Sequence, residues 1–149
     1  MNAALKTELT TDPKGLGYAA SLASTNDVAT AVLINATTGA GAAVVPLVSL
    51  SHDDFALLIA PVVMGLSTAT TTLQAKWAPM LQLLGGVNTV NLTPEIMGML
   101  DDLSTDFPTP LPASAVTAAT TKEGSRAEVL WGAGTVISWQ DVAIAMGRM

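Results

Sequence analysis

Apolar residues recur along this chain at helical spacing in short blocks, each closed by proline, glycine or a turn cluster. In the first block Leu5 and Leu9 stand one turn apart, which predicts a helix over residues 2–9 that stops at TTDPKGLGY, where Asp12-Pro13 and two glycines make a turn. A second helix is expected from a cap at Thr25 or Asn26, with Asp27 in its first turn and Val28, Val32 and Leu33 as its apolar strip, ending near Asn35. Residues 39–50, GAGAAVVPLVSL, are β-branched and interrupted by proline, which suits an extended connector.

Ser51 is placed to cap a third helix, with Asp53 and Asp54 favourably set against its dipole. Phe55, Leu58, Ile59, Val62, Val63 and Leu66 give it one apolar face. Leu57 and Met64 add apolar surface on the other side, so the pattern predicts a central, surrounded helix, kinked at Pro61 because the proline ring meets the carbonyl of Leu57. A fourth helix carries Leu73, Trp77, Met80, Leu81 and Leu84, with an internal Pro79 and a stop at Gly85-Gly86. Thr93-Pro94-Glu95 starts a fifth, bearing Ile96, Leu100 and Leu103. Past Asp106, FPTPLP reads as a stiff linker and ASAVTAAT as a helical fragment. Ser125-Arg126-Ala127-Glu128 and Ser138-Trp139-Gln140-Asp141 then cap the last two helices.

The pattern thus predicts an all-α fold of six to seven short helices in one domain of 149 residues. It divides into a main body over 1–106, a Pro-rich linker over 107–112 and a C-terminal helical pair within 113–149. No solenoid period or coiled-coil heptad is present.

Charge changes this picture. Charged residues make up 12% of the chain, about half the ~25% usual for soluble domains, and hydrophobic residues make up 50%. Between Asp27 and Glu95 the formal charges are Asp53, Asp54 and Lys76, so the exterior of the central helices must be largely apolar and suits being covered by neighbours. A membrane is not the expected neighbour: FALLIAPVVMGL, at 55–66, is short of the roughly 20 residues a span requires. The N-terminus has no basic segment leading into an apolar stretch, so no secretory signal is expected, and the sequons at Asn35 and Asn91 read as chance matches. The net charge of -6 disfavours nucleic acid.

The candidate chemistry is thin. Without cysteine the chain has no disulfide, thiolate metal site or thiol nucleophile. His52-Asp53-Asp54 could bring at most two ligands to one ion, because neighbours on a helix diverge by about 100°; helix-end stabilisation is the simpler role. Asp101-Asp102 has no titrating partner nearby in sequence. Gly39-Ala40-Gly41 and Gly132-Ala133-Gly134 lack the spacing of a phosphate loop. No catalytic residue, cofactor or metal is expected. The last two helices, joined by a Gly-rich turn, have the outline of a helix-turn-helix, yet lack an upstream basic cluster, and of the Arg, Lys, Asn or Gln that a recognition helix presents only one is well placed.

The two ends of the chain resemble a group of small tailed-bacteriophage virion or morphogenesis proteins. The N-terminal LKTELTTDPKGLGYA and NDVATAVLINA are similar to its short helix, DP-containing turn, GY(A) step and DxxxAxxLN-like helix. The C-terminal GSRAEVLWGAGTVISWQDVAIAMG is similar to its SRAExLxGxGT segment and DVAxA helix, matched here by Ser125, Arg126, Ala127, Glu128, Leu130, Gly132, Gly134 and Thr135, then Asp141, Val142, Ala143 and Ala145. The match covers less than half the chain; in the middle, LLIAPVVMGL and TTTLQAKWAPML replace the group's polar and charged central helices. The resemblance implies a structural component of a phage particle at the neck, tail or capsid surface. Such a subunit would be made in the host bacterial cytoplasm, carried in the virion, and would contact its own copies and a larger virion protein. The alternatives are a DNA-binding regulator and an assembly factor absent from the finished particle. Trp77, Arg126, Glu128, Trp131 and Trp139 are the candidate structural or interface residues. Trp131 and Trp139 are expected as core anchors on facing helices, so that Trp139→Ala costs about 3–5 kcal/mol. Arg126 is expected in a local ion-pairing and capping cluster, where Arg126→Ala costs about 1 kcal/mol or less if the pair is exposed.

Overall fold

The computed structural model describes residues 1–84 and 86–149, and the side chains of these except at 80 and 82–84. The expected roles of Met80 and Leu84 and the stop at Gly85 lie outside the described residues. The chain forms two compact units, one made of Met1–Val45 with Glu123–Met149, the other of Pro46–Lys122. The terminal unit holds helices α1 (Asn2–Thr11), α2 (Tyr18–Ala23), α3 (Asp27–Asn35), α8 (Arg126–Trp131) and α9 (Trp139–Ala145). The other holds β2 (Ser49–Ser51), α4 (His52–Leu66), α5 (Thr71–Leu84), β3 (Thr89–Asn91), α6 (Pro94–Asp106) and α7 (Ala113–Thr120). Strands β1 (Ala43–Pro46) and β4 (Thr121–Gly124) pair, and the boundary between units falls within both. The fold is therefore mostly helical rather than all-α, with nine helices among the described residues and two small sheets.

In the terminal unit α1 buries Leu5, Glu8 and Leu9 on one side, as positions three and four apart must. Asp12 ends the helix in the left-handed region (φ 41°) and its carboxylate accepts from the N–H groups of Leu16 (2.7 Å) and Gly17 (2.8 Å), fixing the turn into α2. Asn26, the second of the two expected caps, accepts from the N–H of Ala29 at 3.0 Å. The apolar strip expected on α3 lies only partly inside: Leu33 packs half-buried against the terminal core, Thr30, Ala31 and Ile34 are buried, and Val28 and Val32 are exposed. Thr30 can lie inside because its hydroxyl is 2.7 Å from that of Ser21.

In the Pro46–Lys122 unit the caps at Ser51 and Thr93 form as expected, each side chain accepting from the backbone N–H three residues on. Helix α4 continues through Pro61 to Leu66. It is not surrounded: Phe55, Ile59 and Val62 face the core, whereas Leu57 (76% exposed), Val63 and Met64 (80%) face outward. Part of the expected connector pairs instead as strand β2 against β3, antiparallel with Leu50 opposite Val90, both buried. The Pro-rich segment 107–112 is no linker: Phe107 and Leu111 are buried in the same core as Leu100, Leu103 and Val116. The expected boundary there is displaced because those two apolar residues need cover, and α7 packs with α6 instead of joining a C-terminal pair.

Candidate functional site

The SRAE segment begins at a reciprocal cap. Glu128 donates its N–H to the Ser125 hydroxyl (3.2 Å), and its carboxylate accepts from the N–H of Ser125 (3.0 Å) through one oxygen and from that of Gly134 (2.8 Å) through the other. One side chain thus closes the start of α8 and holds the loop after it, where Gly132 and Gly134 have φ of 99° and 82°, values that favour glycine. At Ser138 the arrangement repeats: Asp141 caps α9, and the Ser138 hydroxyl and N–H on its carboxylate hold its pKa below the usual range.

Arg126 reaches a residue 118 positions away. Its Nε and Nη2 donate to the two carboxylate oxygens of Glu8, each at 2.8 Å, in the forked geometry that guanidinium and carboxylate share. The side chains are 12% and 6% exposed. The Glu8 bonds raise the Arg126 pKa, so the guanidinium remains charged. Tyr18 is buried beside this pair, and burial, then the charges of Glu8 and Asp12, push its phenol pKa upward. A second tie comes from Asn35, which donates to the carbonyl of Ile137 (2.7 Å) and accepts from its N–H (2.9 Å), as a paired strand residue would. Asp27 and Arg148 form a third. Glu8 and Asn35 were missed in the sequence; a glutamate inside the Leu5/Leu9 face was the available signal, since a charge at a buried position needs a partner.

The tryptophans separate into three environments. Trp77 is buried, its Nε1 donating to Asp106 at 2.8 Å while Lys76 bonds the same carboxylate oxygen and lies over the indole, 4.6 Å from its centroid. Trp131 is half-buried against the terminal core. Trp139 is 47% exposed, which overturns its expected anchoring role. It is the first residue of α9, where the buried positions fall to Val142, Ala143 and Ala145, and it borders a shallow hollow with Val28 and Val32. Trp139→Ala is accordingly expected to lower stability by about 1 kcal/mol or less, read from thermal melts beside the parent. In the other unit Leu57 and Leu58 of α4 and Ala115 and Ala118 of α7 border a second hollow of about 560 Å³.

His52 Nδ1 lies 3.4 Å from Asp53 at an exposed helix start, and among the described residues no three His, Asp or Glu side chains converge as metal ligands. Asp101 and Asp102 are exposed. No family model matches the chain, and neither does any curated protein or solved structure. Among the described residues no helix is long and apolar enough to cross a membrane.

Asp106 gives this arrangement a pH signature. The bond from Lys76, then that from Trp77, holds its pKa below the ordinary value. A depressed folded-state pKa contributes stability above the unfolded value, about 3.9, that is lost as pH falls through the folded one. Asp106→Asn should remove this contribution at neutral pH and flatten the fall in melting temperature below about pH 4. A variant whose melting temperature falls with acid as steeply as the parent's would contradict that.

Proposed function

We propose that this chain is a repeated structural subunit of a bacteriophage particle, at the neck, tail or capsid surface, working through contacts with its own copies and with a larger virion protein. In this reading it has no catalytic residue, cofactor or metal; it is made in the host cytoplasm and carried in the virion. The observation that carries the reading is the outward side of α4, where Leu57, Val63 and Met64 are exposed on a helix whose charges are confined to its first turn. Large apolar side chains grouped on one helix exterior suit burial by a partner. The segments that resemble the phage group give further support: both lie in the terminal unit, which joins residues 1–45 to 123–149, and the dissimilar middle forms the other unit.

A helix-turn-helix regulator fits the site less well. Arg126 is occupied by Glu8, Asp141 serves as a cap, and α9 begins with an indole where a reader of base edges needs hydrogen-bonding groups. Quantitative mass spectrometry of purified particles tests the proposal: the chain should be present in a fixed, repeated copy number. Its absence from particles, with production in infected cells, would leave the assembly-factor alternative standing instead.

A further inference from the structure

Met64 carries the only sulfur on α4, and at 80% exposure it stands further into solvent than any other methionine whose side chain is described. Its companions on that exterior, Leu57 and Val63, offer a peroxide nothing to react with. Met99, 7% exposed in the core of the same unit, is reached only after local opening. We propose that Met64 is a site of reversible oxidation by peroxides, and that its sulfoxide disables the contact made by the exterior of α4.

In this step hydrogen peroxide or an alkyl peroxide transfers one oxygen atom to the thioether. An S–O bond forms and the O–O bond breaks; the sulfur is oxidised by two electrons and the peroxide is reduced to water or an alcohol. The product exchanges a flexible apolar side chain for a polar one with a strong hydrogen-bond acceptor. In the free chain the new oxygen is hydrated and costs the fold little, because the side chain already faces solvent. Under a partner the oxygen loses that water, and neither Leu57 nor Val63 donates a hydrogen bond to replace it. Oxidation therefore acts on association and not on folding. Because α4 is the contact side in the function proposed above, on which this inference rests, the thioether is reactive before assembly and shielded after it. An oxidised subunit fails to join, whereas one already in place is spared. A methionine sulfoxide reductase, acting on the exposed sulfoxide, restores the free chain.

Peptide mapping by mass spectrometry tests this in two settings. In the purified full chain under limiting hydrogen peroxide, Met64 should gain one oxygen well before Met99, with the thermal melt unchanged. In infected cells exposed to sublethal peroxide, the parent and Met64→Leu are supplied together at equal levels, so that any general effect of the oxidant falls on both. Met64→Leu keeps the apolar volume and has no sulfur to oxidise. The sulfoxide at residue 64 should be about tenfold or more rarer in purified particles than in the unassembled pool, and particles should be enriched in Met64→Leu over the parent only when peroxide is present. Oxidation of Met99 as early as Met64, or sulfoxide at residue 64 as frequent in particles as in the pool, would overturn this inference alone. Absence of both chains from particles, with or without peroxide, would overturn the proposed function and this inference with it.

Discussion

Replacing Trp77 by alanine should destabilise the Pro46–Lys122 unit by about 3–5 kcal/mol, the range for truncating a fully buried large aromatic. The indole is 1% exposed and packs in one cluster with Phe55, Ile59, Leu100 and Leu103, so its removal loses both the transfer of its surface from water and the contacts around the space left behind. Trp77→Phe keeps much of the apolar volume and should cost less. What it loses in addition is the Nε1 bond to Asp106, whose carboxylate is still held by Lys76. Hydrogen exchange at the amides of α6 reads this unit separately from α9. Protection in α6 should fall for Trp77→Ala. Unchanged protection would show that the cluster does not depend on its largest member.

Arg126→Ala carries the second large effect, about 3–5 kcal/mol on the terminal unit, because it leaves the Glu8 carboxylate buried without its charge partner. This reverses the order expected from sequence, in which Trp139 was the anchor and Arg126 the minor contact. The reversal follows from burial: the ion pair lies inside and the indole lies at the surface. A buried pair is costly to break and far less costly to replace, so Glu8→Gln combined with Arg126→Met should recover most of the loss. Thermal melts of the parent, the single variant and the double variant measure this. A single variant within about 1 kcal/mol of the parent would mean that the pair is solvated after all.

What was legible in the sequence is what is local. Ser51, Thr93, Ser125 and Ser138 cap helices because a hydroxyl and a backbone N–H three residues later need nothing from the rest of the chain. The strands were not legible, since the three residues of β2 have a pattern only against β3, some forty positions on. The two-unit organisation was hidden for a related reason: α1 and α3 find their cover in α9, and no local period records so distant a pairing. Periodicity also misassigned faces. Val28 and Val32 share a strip with helical spacing, yet Ile34 with Ala31 and Thr30 forms the buried one. Periodicity reports that an apolar face exists and leaves open whether the chain itself or another molecule covers it. At the candidate site Glu128 was legible as a cap, while the partner of Arg126 became visible only when α1 was placed beside α8.

The central claim is that this protein works through its uncovered apolar surface, and α4 is where that claim meets function. Leu57 and Met64 can be replaced together by aspartate with little expected effect on folding, since both side chains already face solvent. The decisive measurement is the copy number of this double variant in purified particles, beside the parent, with both supplied at equal levels during infection. The account predicts that the parent is incorporated and that the folded variant falls by about tenfold or more, as expected when charges enter an apolar contact. Incorporation of the variant at the parental copy number would contradict it.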